Sequence, residues 1–172
     1  ELGVLVRNGE ALETADQGNT GGFDKTGTLT RGKPAVTDIF PSGIDQKTLL
    51  GIAAAVEKNS QHPLGTAVVR AAEDRGIAIP VAEGFDTAGG KGVSATVLGE
   101  TVLIGNRLFL SESSIQTGPA EEARIAALEE QGKTVMIVAA GGQYAGIIAV
   151  ADTLKESSVP AVAALKAHGT RV

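Results

Sequence analysis

Cysteine is absent from this chain of 172 residues, so disulfides and thiolate metal sites are excluded and the cytosol is the expected compartment. Tryptophan is also absent and only 3% of the residues are aromatic, so a core must be built from aliphatic side chains. No apolar run approaches the roughly 20 residues that a membrane-spanning helix needs, so we expect a soluble segment without a signal peptide. The net charge is −5 and no basic cluster is present, which argues against nucleic acid as a partner.

The chain does contain enough aliphatic sequence to fold, because 42% of it is hydrophobic and 20% is charged. Hydrophobic residues at helical spacing behind Asp45, a plausible N-cap, predict a first helix. A second helix is expected to end at Gly76. Two hairpins and two more helices are predicted from period-two and period-3.6 patterns, over residues 93–104 and 135–150 and over residues 121–131 and 155–168.

The order of these elements predicts an α/β protein in three parts. Antiparallel hairpins between helices indicate an α+β domain over residues 33–148, with an antiparallel sheet flanked by helices. Residues 1–32 and 149–172 are predicted to be two pieces of one parallel α/β domain into which this α+β domain is inserted. Proline at position 34 fixes the backbone, so residues 32–34 are interpreted as a hinge at the first boundary.

The most specific motif is Asp24-Lys25-Thr26-Gly27-Thr28-Leu29-Thr30, which follows Phe23. A carboxylate where a strand ends in a tight turn is exposed to substrate while the sheet fixes its direction, which suits a nucleophile. Lys25 offers a cation to a phosphoryl group, and the glycine lets the backbone approach phosphate oxygens. An ordinary polar turn is the alternative. The run closely resembles the phosphorylation motif of P-type ATPases, the pumps that form an aspartyl-phosphate from ATP.

Glu57 and His62 form a second group, at the predicted break between two helices. A single histidine in such a position is more often buried or capping than in contact with a ligand. However, Ser60-Gln61-His62-Pro63-Leu64 resembles the Ser-Glu-His-Pro-Leu motif of the heavy-metal (P1B) branch of P-type ATPases. The resemblance implies that His62 helps to orient ATP and that Glu57 lies beside the adenine. Gln61 replaces the family's glutamate, which we do not expect to abolish binding.

Gly90, Gly92 and Asn106 complete the predicted nucleotide site. Glycine pairs before a strand arise easily by chance in a chain with 23 glycines, although they also let a backbone approach a base or a phosphate closely. Gly90-Lys91-Gly92 resembles the Gly-x-Gly element that lines the nucleotide pocket of the heavy-metal pumps, and Gly105-Asn106 resembles their Gly-Asn element. The order of these elements behind the phosphorylation motif favours the functional interpretation.

The resemblance covers nearly the whole chain and implies a haloacid-dehalogenase-like phosphorylation domain that carries an ATP-binding insert. Asp24 would attack the γ-phosphate of ATP, with Mg²⁺ held by the Asp24 carboxylate and the main-chain carbonyl of Thr26. Thr26 stands where related phosphatases have a second Asp as general acid and base, which suits a longer-lived acyl phosphate. The family's later phosphate-binding motifs would follow Val172, so the chain is expected to bind ATP without turning it over. The resemblance also implies a cytoplasmic region of an integral membrane pump that works with its transmembrane and actuator domains.

Several interpretations stay open at this point. Asp152 begins an Asp-x-x-Lys element that resembles the family's return hinge into the phosphorylation domain, and Asp152 is also a candidate helix N-cap, which the first interpretation does not exclude. Residues 19–23 replace the apolar strand that the family has before its nucleophile, which leaves the order of residues 17–24 open. A haloacid-dehalogenase-like phosphatase and a non-catalytic nucleotide-binding module are the alternative functions. Copper is weakly favoured over zinc or cadmium as the exported ion, on the basis of Gly105-Asn106.

Overall fold

The structure is a computed structural model that describes residues 30–154 and 158–167. Lys33–Thr153 forms one compact unit. The strands are β1 (Thr30–Pro41), β2 (Ala82–Ala88), β3 (Gly92–Val97), β4 (Glu100–Gly105), β5 (Thr134–Ala140) and β6 (Gln143–Leu154). The helices are α1 (Gln46–Glu57), α2 (Pro63–Asp74), α3 (Arg107–Glu112), α4 (Pro119–Glu130) and α5 (Ser158–Ala167).

The strands form one six-stranded sheet in the order β1-β6-β5-β4-β3-β2. Neighbouring strands from β2 to β6 are antiparallel. Leu98 and Gly99 make the tight turn between β3 and β4, and Gly141 and Gly142 make the turn between β5 and β6. Both predicted hairpins are therefore confirmed, as is the α/β class with an antiparallel sheet flanked by helices.

Helices cover both faces of the sheet. Strand residues alternate between the two faces, so Val138 packs with α1 and α2, whereas its neighbour Ile137 packs with α3 and α4. Each face has its own buried aliphatic cluster. The core is therefore two layers of Ala, Val, Ile and Leu on either side of one sheet, as the scarcity of aromatic residues predicts.

The junction between α1 and α2 follows from local sequence signals. Asp45 caps α1 as predicted, and its side chain accepts the Thr48 N–H at 3.1 Å. The last nine residues of α1, Leu49 to Glu57, are all buried, because α1 lies between the sheet and α2. The second helix ends before Gly76, which has a φ of +64° as expected of a glycine that stops a helix.

Four features of the fold differ from the sequence-based expectations. Residues 32–34 lie within β1, which begins at Thr30, and do not interrupt it. Asp152 is not a helix N-cap, because β6 continues to Leu154 and α5 begins at Ser158. Strand β2 and helix α3 were not predicted. β2 is mostly exposed and its pairing with β3 shifts in register between Glu83 and Asp86, so it lacks a clean alternation, and α3 is too short to show a helical period.

Within the described ranges 30–154 and 158–167, no helix is long and apolar enough to cross a membrane.

Candidate functional site

A cavity of about 530 Å³ lies between the α1–α2 junction and the adjoining ends of β2, β3, β4 and β5. The residues that the sequence predicted to bind a nucleotide lie on three separate segments of the chain. All five of those residues line it: Glu57, His62, Gly90, Gly92 and Asn106. The fold thus brings together residues that lie up to about 50 positions apart in the sequence.

Glu57 is the last residue of α1 and is only 4% exposed. Its burial raises the pKa of its carboxyl group, and a hydrogen bond with the Ser60 side chain partly opposes that rise. The C-terminal end of a helix is also an unfavourable place for an anion, because the last carbonyl oxygens point there. A carboxylate kept in this environment at the wall of a cavity is a strong acceptor for an N–H group of a ligand.

His62 is the N-cap of α2, with Pro63 at the first helical position. Its Nδ1 atom accepts the Leu64 N–H at 3.2 Å, and its own backbone N–H donates to the Ser60 hydroxyl oxygen at 3.2 Å. A neutral imidazole that accepts at Nδ1 carries its proton on Nε2. The capping bond therefore fixes the ring orientation and leaves Nε2–H as the donor that can reach a ligand.

The turn between β2 and β3 owes its shape to two glycines. Gly89 and Gly90 have φ values of +33° and +76°, and the Lys91 N–H donates to the Ala88 carbonyl oxygen at 2.7 Å. A Cβ added at Gly90 would have no atom within 4 Å, so crowding by the protein does not demand glycine there. The backbone at Gly90 is open toward solvent and the cavity, as expected for a surface that a ligand approaches.

Gly92 has a packing reason to be glycine that the sequence did not reveal. It lies opposite Gly105 in the β3–β4 ladder, and the Phe109 ring covers both residues. A Cβ added at Gly92 would lie 2.5 Å from Cδ1 of Phe109 and 2.8 Å from the Gly105 Cα, and one added at Gly105 would meet the same ring atom at 2.6 Å. The glycine pair therefore lets two strands and an aromatic ring meet at the cavity floor.

Asn106 directly follows β4 and links two segments of the cavity wall by hydrogen bonds. It is the N-cap of α3, and its Oδ1 accepts the Phe109 N–H at 3.0 Å. Its backbone N–H donates to the Lys91 carbonyl oxygen at 2.9 Å. With Oδ1 engaged by the cap, the Nδ2 amide is the part of Asn106 that can donate to a ligand.

A model of the haloacid dehalogenase-like hydrolase family matches residues 22–172. The chain belongs to the haloacid dehalogenase-like hydrolases.

Its relatives confirm the resemblance to heavy-metal P-type ATPases. The chain is 42% identical over its whole length to a probable copper-exporting P-type ATPase of Archaeoglobus fulgidus and 46% identical to a silver-exporting P-type ATPase of Salmonella typhimurium. It covers 21% of each of these relatives, so it spans about a fifth of their length. A zinc-transporting PIB-type ATPase in the E2.Pi state has a similar structure, with 43% identity and a TM-score of 0.78 over 87% of this chain and 24% of that one.

The predicted catalytic residues of this haloacid dehalogenase-like hydrolase are Asp24, Lys25 and Thr26, and Asp24 and Thr26 are also its predicted Mg²⁺ ligands. They fall inside the range that the family model matches but outside the residues that the structure describes. Their arrangement remains a prediction from the motif.

The one cation that the described part of the chain places in the cavity wall was missed by the sequence analysis. Lys91 lies between the two predicted glycines and is the only lysine or arginine among the described residues that line the cavity. Its Nζ donates to both carboxylate oxygens of Glu112, at 2.7 and 2.9 Å. The pair is exposed, so an anionic ligand can compete with Glu112 for this cation. A lysine flanked by glycines was the available signal.

Proposed function

We propose that this chain is the ATP-binding region, with adjoining parts of the phosphorylation domain, of a P-type ATPase that exports a heavy-metal cation. Copper is the favoured ion, and zinc, cadmium or another transition metal is the alternative. The observation that carries the proposal is the meeting of Glu57, His62, Gly90, Gly92 and Asn106 at one cavity.

The chemistry of the cavity suits ATP. Its volume of about 530 Å³ falls within the usual range of small-molecule sites, roughly 300–1,000 Å³. Aliphatic side chains such as Val93, Ile104 and Met136 offer an apolar wall for a purine ring. Glu57 supplies an acceptor for the amino group of adenine, and His62 Nε2–H and Lys91 supply donors for the phosphate side.

In the whole pump, we place the covalent step on Asp24. Its carboxylate oxygen attacks the γ-phosphorus of ATP, the bond from that phosphorus to the bridging oxygen breaks, and ADP leaves with the electron pair. Mg²⁺, held by the Asp24 carboxylate and the Thr26 carbonyl, would neutralise phosphate charge. Incubation of the full-length pump with γ-labelled ATP tests this step. We expect an acid-stable label that Asp24→Asn abolishes, and a label that survives in Asp24→Asn would refute the assignment.

The partners and the location that we propose are inferred from the relatives of this chain. Because the chain spans about a fifth of their length, its partners would be the transmembrane and actuator domains of the same protein, and its place would be the cytoplasmic side of the membrane. The copper preference draws on the printed names of the copper-exporting relatives from Archaeoglobus fulgidus and Bacillus subtilis. Metal-stimulated ATP hydrolysis by the full-length protein, compared among Cu⁺, Ag⁺ and Zn²⁺, identifies the ion.

Calorimetric titration of ATP into this chain tests the nucleotide site itself, with Gly90→Val and Gly43→Val as a matched pair. Both glycines have a positive φ, +76° and +73°, and an added Cβ would have open space at either position, so the two substitutions strain the backbone alike. Only Gly90 lines the cavity. We expect saturable binding that Gly90→Val weakens and Gly43→Val leaves unchanged. Equal losses in the two variants would contradict the proposed site.

A further inference from the structure

A glycine near the start of α2 runs against what a helix favours. Gly65 is the third residue of α2 and is buried. Alanine is the better helix former, because glycine loses more backbone freedom on folding. The backbone offers no reason for glycine here, since Gly65 has no positive φ. Its reason must lie in what its missing side chain leaves open.

The Glu57 carboxylate occupies that space. A Cβ added at Gly65 would overlap the Oε2 atom of Glu57 and would lie 3.1 Å from its Cδ atom and 3.2 Å from the Cβ of Ser60. The nearest atoms thus belong to the flexible end of the Glu57 side chain and to the Cβ of Ser60. An added methyl group would leave the backbone in place and force the Glu57 carboxylate to move.

The direction of that movement is restricted. Glu57 is almost wholly buried, and the free space beside it is the cavity that both Glu57 and Gly65 line. A displaced carboxylate would therefore enter the volume that the ligand needs, and it would exchange buried surroundings for more hydrated ones.

We propose that Gly65 is a positioning residue that holds the Glu57 carboxylate in the cavity wall and so selects a purine with a 6-amino group over one with a 6-oxo group. The inference rests on the proposed ATP site. A carboxylate accepts the N–H of a 6-amino group, whereas a 6-oxo group offers only another acceptor. The selection depends on where the carboxylate lies, and the glycine at position 65 sets that place.

The test compares Gly65→Ala with Gly51→Ala, a helix glycine in α1 that does not line this cavity. An added Cβ at Gly51 would make only ordinary contacts, at 3.4 Å from the Ala78 oxygen and from Ile77 Cγ2. Affinities for ATP and inosine triphosphate are measured by calorimetry, and melting temperatures by circular dichroism. We expect Gly65→Ala to melt no lower than the unmodified chain, to bind ATP about tenfold more weakly and to lose much of its preference over inosine triphosphate. Gly51→Ala should preserve both affinities.

A second readout needs no nucleotide. Carbon-13 NMR of the Glu57 carboxyl group should show that Gly65→Ala brings its pKa down toward the ordinary value for glutamate, because the displaced carboxylate is better hydrated. Glu57→Asp shortens the side chain by one methylene and so also moves the carboxylate. The losses of ATP affinity caused by Glu57→Asp and by Gly65→Ala should therefore be less than additive in the double variant.

Three outcomes would overturn the inference. Unchanged ATP affinity and unchanged Glu57 titration in Gly65→Ala would show that the carboxylate has not moved. An equal loss for ATP and inosine triphosphate, with a lower melting temperature and additive effects, would show a purely structural role. If the unmodified chain binds no ATP, the proposed function fails, and the ligand-free NMR titration then still decides whether Gly65 positions Glu57.

Discussion

His62 caps α2 and is proposed to bind the nucleotide, and substitutions can separate these two functions. Its Nδ1 atom accepts the Leu64 N–H at 3.2 Å and so caps α2, while Nε2–H is available to the nucleotide. His62→Ala removes both functions. Loss of the cap alone is expected to lower the free energy of unfolding by about 1 kcal/mol, the typical cost at an N-cap. Loss of one ligand hydrogen bond is expected to weaken ATP binding roughly tenfold.

His62→Asn preserves only the first function. Asparagine is among the best N-cap residues, because its side-chain oxygen accepts the same backbone N–H, but it lacks the length and the second nitrogen of the imidazole. We expect the free energy of unfolding of His62→Asn to lie within about 0.5 kcal/mol of that of the unmodified chain, because one good N-cap residue replaces another. Its ATP affinity should nevertheless fall as far as that of His62→Ala.

The assays are urea denaturation for stability and calorimetry for ATP, with Asp45→Ala as the control. Asp45 caps α1 through the Thr48 N–H but does not line the cavity, so its removal should cost helix stability and leave ATP binding intact. Two results would contradict these two functions of His62. His62→Asn that binds ATP as tightly as the unmodified chain would exclude an imidazole contact. His62→Ala that unfolds like the unmodified chain would exclude the cap.

Three further substitutions probe the cavity and the fold. Gly92→Ala should lower the free energy of unfolding in urea by about 2 kcal/mol, because its Cβ would press into the Phe109 ring and the adjoining strand. Glu57→Gln should stabilise the chain at neutral pH while weakening ATP binding. Burial raises the pKa of Glu57, so its charged form destabilises the fold above that pKa, and the advantage of Gln should shrink as the pH falls. Asp38→Asn should cost only about 0.5 kcal/mol at neutral pH, since solvent screens its 2.6 Å bond from Lys133 Nζ. That bond is the largest cause of the lowered pKa of Asp38, so its contribution is complete above the unfolded pKa and is lost as the pH falls through the lower folded pKa.

Each of these predictions has a result that would contradict it. Gly92→Ala with full stability would mean that Phe109 does not cover the glycine pair. A Glu57→Gln variant that is less stable at neutral pH would mean that the buried carboxylate is better satisfied than its surroundings indicate. An Asp38→Asn variant whose loss of stability on acidification matches that of the unmodified chain would mean that the bond to Lys133 contributes nothing.

Features encoded by neighbouring residues could be predicted from the sequence. The Asp45 cap, the glycine that ends α2 and both predicted hairpins each depend on a few adjacent residues, and the structure shows all of them. The sequence also indicated five residues that line the cavity, because each lies in or close to a short motif, and their part in nucleotide binding stays a prediction. The meeting of these motifs at one cavity was inferred from resemblance, and the fold shows it directly.

What the sequence did not reveal depends on contacts between distant residues. Gly92 was interpreted only as a place for a ligand, yet Phe109, 17 positions later, also requires it to be small. Gly65 was not noticed at all, since only the folded α1–α2 junction brings the Glu57 carboxylate against it. Strand β2 was missed because a register shift and exposed polar residues disturb the alternation of buried and exposed side chains that marks a strand. Its pairing with β3 nevertheless holds the segment in an extended conformation.

The nucleotide site is tested most sharply by an ATP titration of this chain followed by amide ¹H–¹⁵N NMR. We expect the largest shifts to fall together on the α1–α2 junction, on the turn around Gly90 and on the start of α3 at Asn106. The smaller cavity near Lys47 and Arg75 should be unaffected. Shifts confined to that smaller cavity, or scattered over the surface without saturation, would contradict the assignment of the nucleotide site.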